Sequence, residues 1–224
     1  MKCQLQFYCI VVLSSLLMAC ATTRPPSYDY SNFKESHPRS IVVLPPTSHS
    51  SDVNASLSLL SLTTFPLAEA GYYVLPVALT YETFKQNGVT VADEAQAIPF
   101  QKIHDIFGAD AGLYITVDKY GSIYRVINSE VVVSAQAKLV DMRNGKTLWQ
   151  GSASASSNEN QQSNGGGLIG ILITAAVNQV IHEVGDSSHA VAGVAVHRLL
   201  RPGYEGGLLY GPYHPSSQNT SVGH

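Results

Sequence analysis

This sequence has almost no means of stapling itself covalently. Its three cysteines are Cys3, Cys9 and Cys20, and none follows. A disulfide framework across the body of the chain is therefore excluded. Charge is also scarce: Asp, Glu, Lys and Arg together make up 13 % of the residues, about half the usual share. Ser, Thr, Asn, Gln and Gly fill the gap, giving a polar but weakly charged surface. No cluster of Lys and Arg occurs, so the electrostatic footprint of nucleic-acid binding is missing. The same lack argues against anchoring through anionic lipid headgroups. Chemistry-bearing motifs are missing too. There is no Gly-x-Ser-x-Gly elbow, Lys-bearing phosphate loop or His-Glu-x-x-His.

The N-terminus, by contrast, reads as an address. Met1 and Lys2 make a short positive start, and Leu5 to Met18 is apolar except for Gln6, Ser14 and Ser15. The run is too short to cross a bilayer, which takes about 20 residues, but it fits the core of a signal peptide. It ends in Leu17-Met18-Ala19-Cys20, with small Ala19 before the cut and Cys20 directly after it. This pattern resembles the lipobox of bacterial lipoproteins, in which the cysteine sulfur carries a diacylglycerol and the freed amine is acylated. The expectation is cleavage before Cys20 and lipidation of Cys20. Two acyl chains suffice for stable anchoring. Ala21 and Thr22 follow where Asp would signal retention in the inner membrane. By that resemblance the destination is the outer membrane, facing the periplasm. Cleavage removes Lys2 from 13 bases, leaving 12 against 16 acids, a net charge of −4.

The expected organisation is a signal peptide over 1–19, a lipidated tether over 20–39, an α/β domain over 40–200 and an irregular tail over 201–224. The tether contains Pro25, Pro26 and Pro38 and shows no hydrophobic period. Tyr28, Tyr30 and Phe33 are read as linker aromatics rather than as residues docked on the domain. Ser40 to Leu44 is a buried-type strand stopped by Pro45-Pro46. A polar loop runs to Asp52. A helical stretch from about Asn54 to Ala70 is interrupted by Pro66, and Gly71 caps it. Tyr72 to Leu75 is a second strand. Helices follow over Val77–Asn87 and about Pro99–Phe107, with Gly88 and Gly108 after them. Ala111–Tyr120 is a strand. Ser129–Met142 alternates, with Val131, Val133, Ala135, Ala137 and Leu139 on one face. Asn144-Gly145 marks a hairpin, and Lys146–Ala155 is the return strand with Trp149. Ser156 to Gly167 is a loop. Helices are expected over Leu168–Val184 and about Ser188–Leu200, the second carrying Ala190, Ala192, Gly193 and Ala195 for close packing. The fold class is α/β (α+β): a single domain with a mixed five-stranded sheet, parallel βα units and then an antiparallel meander, covered by helices.

Candidate chemistry is thin. His182-Glu183 with Asp186, His189 and His197 is the nearest approach to a metal set. The expected reading is polar residues at a helix junction, with His182, Asp186 and His189 the first suspects should the chain act on a ligand. Gly165-Gly166-Gly167 before Leu168-Ile169-Gly170 resembles a phosphate cradle, but it has no Lys and follows a polar loop, so it is read as a hinge. His104, Asp105 and Asp110 lie near one short helix without an acid–base spacing. No cofactor, metal or catalytic residue is expected.

Several stretches carry a family likeness. They are the lipobox at Cys20, Ile41-Val-Val-Leu-Pro-Pro46, Leu67 to Pro76, Gly108 to Ile115, Asp141 to Trp149, and Leu208 to Pro215. In this order they resemble a family of proteobacterial lipoproteins with no assigned activity. The resemblance implies a domain like the amino-terminal domain of TolB and the periplasmic domain of the curli-secretion lipoprotein. Members are often encoded beside a lipoprotein similar to that curli-secretion subunit. It implies a non-catalytic assembly or transport accessory of the envelope, held to the membrane by lipid. The implied partner is another envelope lipoprotein or a second copy of the chain, not nucleic acid. The rival expectation is a periplasmic ligand-binding protein or envelope hydrolase with an unrecognised site. Tyr204, Tyr210 and Tyr213 in the tail could serve a partner contact or ordinary packing.

Overall fold

The computed structural model describes residues 28–124, 129–159 and 187–218. Within these, a short helix α1 (Ser31–Ser36) leads to strand β1 (Ser40–Val43) and the two-residue strand β2 (Thr47–Ser48). Helices α2 (Ala55–Leu62) and α3 (Thr64–Glu69) precede β3 (Tyr73–Val74). Three helices follow: α4 (Val77–Gln86), α5 (Ala92–Ala97) and α6 (Phe100–Phe107). The meander is β4 (Ala111–Tyr124), β5 (Ser129–Asp141) and β6 (Thr147–Ser156). Helix α7 (Ser187–Leu200) and the short α8 (Pro215–Gln218) complete the set.

The sheet runs β3-β1-β4-β5-β6, with β2 also paired to β4. β1 is parallel to β3 and β4, whereas β4, β5 and β6 are antiparallel. This is the expected single mixed α/β domain, with six strands rather than five. The extra strand is Thr47–Ser48, which extends the line of β1 along β4 past Pro45-Pro46. Two prolines cannot donate to a ladder, so the sequence reads as a loop where the chain only skips two positions.

Chain direction dictates the layers. The step from β1 to β3 moves one way across the sheet and the step from β3 to β4 moves back. Right-handed crossovers in opposite senses must lie on opposite faces. β1 is accordingly buried on both sides: Ile41 and Val43 enter one core, Val42 and Leu44 the other. The larger core is built by α2, α3 and α7 over Leu113, Ile115, Val117, Val133, Leu139 and Trp149. The smaller is closed by Phe84, Ala95 and Ile103 of α4, α5 and α6. β5 shows the predicted alternation, with Val131, Val133, Ala135, Ala137 and Leu139 buried and Gln136 and Lys138 exposed. In β4 the register slips between Val117 and Lys119. This bulge resets the alternation, so Lys119 is exposed and Tyr120 stays on the core face.

Several boundaries differ from the sequence reading for identifiable reasons. The stretch 54–70 is two helices broken at Thr63, and Pro66 sits in the first turn of α3, where its missing N–H costs nothing. Helix α5 has an Ala-rich face too short for a period to emerge. Tyr28, Tyr30 and Phe33 are not linker aromatics. Phe33 is 5 % exposed in the main core, with Tyr28 and Tyr30 packed against it. Helix α1 closes at His37, whose φ of 46° is left-handed. The described part of the tail has structure of its own: Leu208 is buried, Pro202 bridges Leu208, and Pro215–Gln218 is helical. The helix expected over Leu168–Val184 and the glycine hinge at 165–170 lie outside the described residues.

Trp149 tests the main core. It is fully buried, and its Nε1–H donates to the Gly206 carbonyl at 2.9 Å. Trp149→Ala should cost about 3–5 kcal/mol through lost packing and the cavity left behind. Urea unfolding followed by circular dichroism measures it.

Candidate functional site

The richest convergence of functional groups lies at one end of the sheet. There β1, β3 and β4 begin, β5 ends and β6 begins. Two segments cross it: the N-terminal arm, residues 28–39, and the described part of the C-terminal tail, residues 201–218.

Side chains along the arm tie it to the domain. Tyr28 Oη accepts the Gln150 backbone N–H at 2.8 Å. Tyr30 Oη donates to the Gly207 carbonyl at 2.5 Å. Asn32 Nδ2 donates to the Thr147 carbonyl at 3.2 Å. Glu35 receives Lys146 Nζ at 2.9 Å. Ser36 Oγ donates to Asp141 Oδ2 at 2.6 Å. The tail runs beside it. Tyr72 Oη donates to the Leu209 carbonyl at 2.5 Å. The backbone N–H groups of Gly211 and Tyr213 reach the carbonyls of Ala70 and Gly71 at 2.8 and 3.1 Å. Gly211 is required there, because a Cβ would lie 2.3 Å from the Gly71 oxygen.

Asp141 is the electrostatic centre of this end. It is 0 % exposed. Arg143 grips it with Nε at 3.0 Å and Nη2 at 2.6 Å, and the Arg143 N–H adds a bond at 2.8 Å. Arg143 Nη2 also donates to the Ser36 carbonyl at 2.8 Å. Burial pushes the Asp141 carboxyl up, but the bonds from Arg143 and Ser36 outweigh it and hold it below its ordinary value. The arrangement locks a turn to the arm and leaves no lone pair aimed at solvent. Asp110 is used similarly: its Oδ2 accepts the N–H groups of Arg39 and Ser40 at 2.9 and 3.2 Å.

The predicted suspects are spread apart. Cys20, Leu17, Met18 and Ala19 lie outside the described residues, as do His182, Glu183 and Asp186. His189 is exposed at the start of α7, its Nδ1 2.7 Å from Ser58 Oγ, which also accepts from Tyr120 Oη at 3.0 Å. His197 lies eight residues further along α7, about 12 Å away at the usual rise. There it lines a cavity of about 350 Å³ with Glu69, Arg201, Tyr210 and His214. His214 stacks on Tyr210 at 4.1 Å. His104 Nδ1 bonds the Ala109 carbonyl at 3.0 Å, while Asp110 pins the arm, so these two form no acid–base pair. Among the described residues no group of three or more His, Cys, Asp and Glu is placed to hold a metal. No described helix is long and apolar enough to cross a membrane. Sequence reasoning missed the Asp141–Arg143–Ser36 lock. Only the Asp-x-Arg spacing before Asn144-Gly145 hinted at it.

Open α/β sheets hold ligands at the carboxyl ends of strands where the strand order reverses. Here that position carries Pro45 and Pro46, both buried, and Gln96 Nε2 donates to the Pro45 and Ile115 carbonyls at 3.0 and 2.9 Å. Beyond α5 no described element covers the second face of the meander. Two shallow grooves of about 450 and 620 Å³ lie on it, lined by Tyr114, Thr116, Gln136, Lys138, Ser152 and neighbours.

The family profile described as "Putative lipoprotein GNA1162-like" matches residues 28–213, which span the arm, the domain and most of the tail. This chain belongs to that family. The "Putative lipoprotein NMB1124/NMB1162" of Neisseria meningitidis serogroup B is 48 % identical over 196 residues, covering 88 % of this chain and 90 % of that protein. The crystal structure of lipoprotein GNA1162 from Neisseria meningitidis aligns with a TM-score of 0.53 at 52 % identity. It covers 65 % of this chain and 100 % of that one. The match begins at Tyr28, the residue at which the arm meets β6.

Removing one partner of the lock should be costly. Arg143→Ala leaves a buried carboxylate without its main partner, and the loss should be about 2–3 kcal/mol, because Arg143 itself is partly solvated. The pH dependence follows from the lowered Asp141 value. The contribution of the lock is fully present above about pH 4, the unfolded carboxylate range, and is lost as pH falls through the lower folded value. Asp141→Asn should therefore flatten the acid limb of stability against pH. Denaturant titrations between about pH 2 and 6 report both effects.

Proposed function

We propose that this chain is an outer-membrane lipoprotein, anchored through lipid on Cys20 and facing the periplasm. It acts as a non-catalytic interaction module of an envelope assembly or transport complex. Membership in a lipoprotein family supports the anchor, together with the lipobox Leu17-Met18-Ala19-Cys20. The observation that carries the interaction role is how the described polar side chains are spent. Asp141, Asp110 and His104 serve internal bonds, while the sheet face away from α7 is polar and sparsely charged, with Lys138 and Asp118 among hydroxyl and amide groups. A surface of that kind suits a protein partner, and the resemblance names its class: another envelope lipoprotein similar to the curli-secretion subunit, or a further copy of this chain.

The rival reading, a periplasmic ligand-binding protein or hydrolase, draws on the cavity beside His197, Arg201 and His214. In-cell crosslinking of the lipidated protein, followed by purification in mild detergent and mass spectrometry, separates the two. Recovery of a second envelope lipoprotein is the expected result. Recovery of the chain alone, with loss of phenotype in His197→Ala and Arg201→Ala, would favour the ligand reading. For the anchor, Cys20→Ser should abolish palmitate labelling and leave unprocessed precursor. Persistent labelling in that variant refutes it.

A further inference from the structure

We infer that the domain rests on the lipid surface with one defined end, the end crossed by the arm and the tail, and that exposed tyrosines there sit at the headgroup level. The inference rests on the lipid anchor proposed at Cys20. Two observations carry it, one of length and one of surface chemistry.

The first is reach. The docked arm begins at Tyr28, where the phenol meets Gln150 of β6. Only seven residues lie between Cys20 and Tyr28, eight Cα–Cα steps. Fully extended, they span at most about 29 Å. A compact domain of this size is about 40 Å across. The tether is therefore shorter than the domain. Tyr28 lies beside Gln150, which faces Lys138, nine residues from the start of β5. With the opposite end, carrying the β4–β5 tip and the start of α7, on the lipid, Tyr28 would stand about 30 Å up and the tether would have to be fully taut. With the arm end down it stays slack, so the inverted orientation is disfavoured. A tether free over 20–39 would have imposed no such bias. The docking of residues 28–39 creates it.

The second is what this end displays. Four tyrosines are exposed among the described residues: Tyr73 at 59 %, Tyr204 at 42 %, Tyr210 at 37 % and Tyr213 at 66 %. All four belong to this end. Tyr73 opens β3 opposite Ser40, the first residue of β1, and the other three sit on the tail. Tyrosine has an apolar ring and a polar tip, the pattern that sits well at a lipid–water boundary. Two ion pairs lie at this end, Lys146–Glu35 at 2.9 Å and Arg39–Asp110 at 3.9 Å. The sequence has no cluster of Lys and Arg to demand anionic lipid, so this end fits a predominantly zwitterionic leaflet. The open sheet face and the far end are left pointing along and away from the membrane.

The test uses the full-length lipidated protein in phosphatidylethanolamine–phosphatidylglycerol vesicles whose headgroups carry a nitroxide quencher. Cys20 is the one cysteine left after cleavage and its sulfur is in the thioether, so single bimane labels can be placed cleanly. One goes on Glu205→Cys beside the tyrosines. The other goes on Val53→Cys, a position 88 % exposed near the opposite end. Flotation reports the anchor independently of orientation. The Glu205→Cys label should be quenched at least about threefold more than the Val53→Cys label, as expected for a residue at headgroup depth. Replacing Tyr73, Tyr204 and Tyr213 by Ser should narrow that difference, leaving only the bias set by the tether, while the protein still floats. Floating protein with equal quenching at both labels overturns the orientation and leaves the anchor standing. A Glu205→Cys label shielded from both the vesicle nitroxide and a soluble quencher means that a second copy or a protein covers this end, which also overturns it. Protein that does not float overturns the anchor and the orientation together.

Discussion

Strand β4 is the constraint on which the rest of the structure hangs. It is the longest strand, and its backbone groups must all find partners because it lies inside the sheet. β5 pairs with one edge from Ala111 opposite Asp141 to Tyr124 opposite Ser129, interrupted at the Asp118 bulge. No single strand serves the other edge. β1 covers Ala111 to Leu113, the chain skips over Pro45-Pro46, and β2 resumes at Thr116 and Val117. The His49 N–H then reaches the Val117 carbonyl and Ser50 Oγ the Tyr120 carbonyl, each at 2.9 Å. The interrupted strand is how one edge stays bonded across two residues that cannot donate or propagate a ladder.

From that edge the two cores follow. Parallel pairing on the β1 side demands helices on both faces, so this half is three layers thick. Antiparallel pairing on the β6 side needs only one covered face. α7 supplies it, lying flat because Ala192 and Ala195 are small and buried. Among the described residues the opposite face of the meander is left open and polar.

The end where strands begin and finish is closed by the chain's two extremities. A fully buried carboxylate is tolerated there because Arg143 and Ser36 satisfy it, and they in turn fix where the arm lies. An ionised group without partners in that position would cost several kcal/mol. The lock makes residues 28–39, expected as a spacer, part of the domain.

Local physics was readable from the residues alone. Alternation in Val131 to Leu139, the Asn144-Gly145 turn, Gly108 after α6, and the apolar run ending at Cys20 are all short-range signals. Each is set by side-chain period or by φ and ψ preference within a few residues. They were enough for the fold class, most elements and the expected address. The sequence did not show that Tyr28, Tyr30 and Phe33 dock, that Asp141 is buried beneath Arg143, or that the exposed tyrosines gather at one end. Those depend on partners far apart in the chain: Ser36 and Asp141 are 105 residues apart, Tyr30 and Gly207 177. A local pattern carries no information about such pairs. Their positions are set only when the sheet order brings the start of β1, the end of β5 and the tail together.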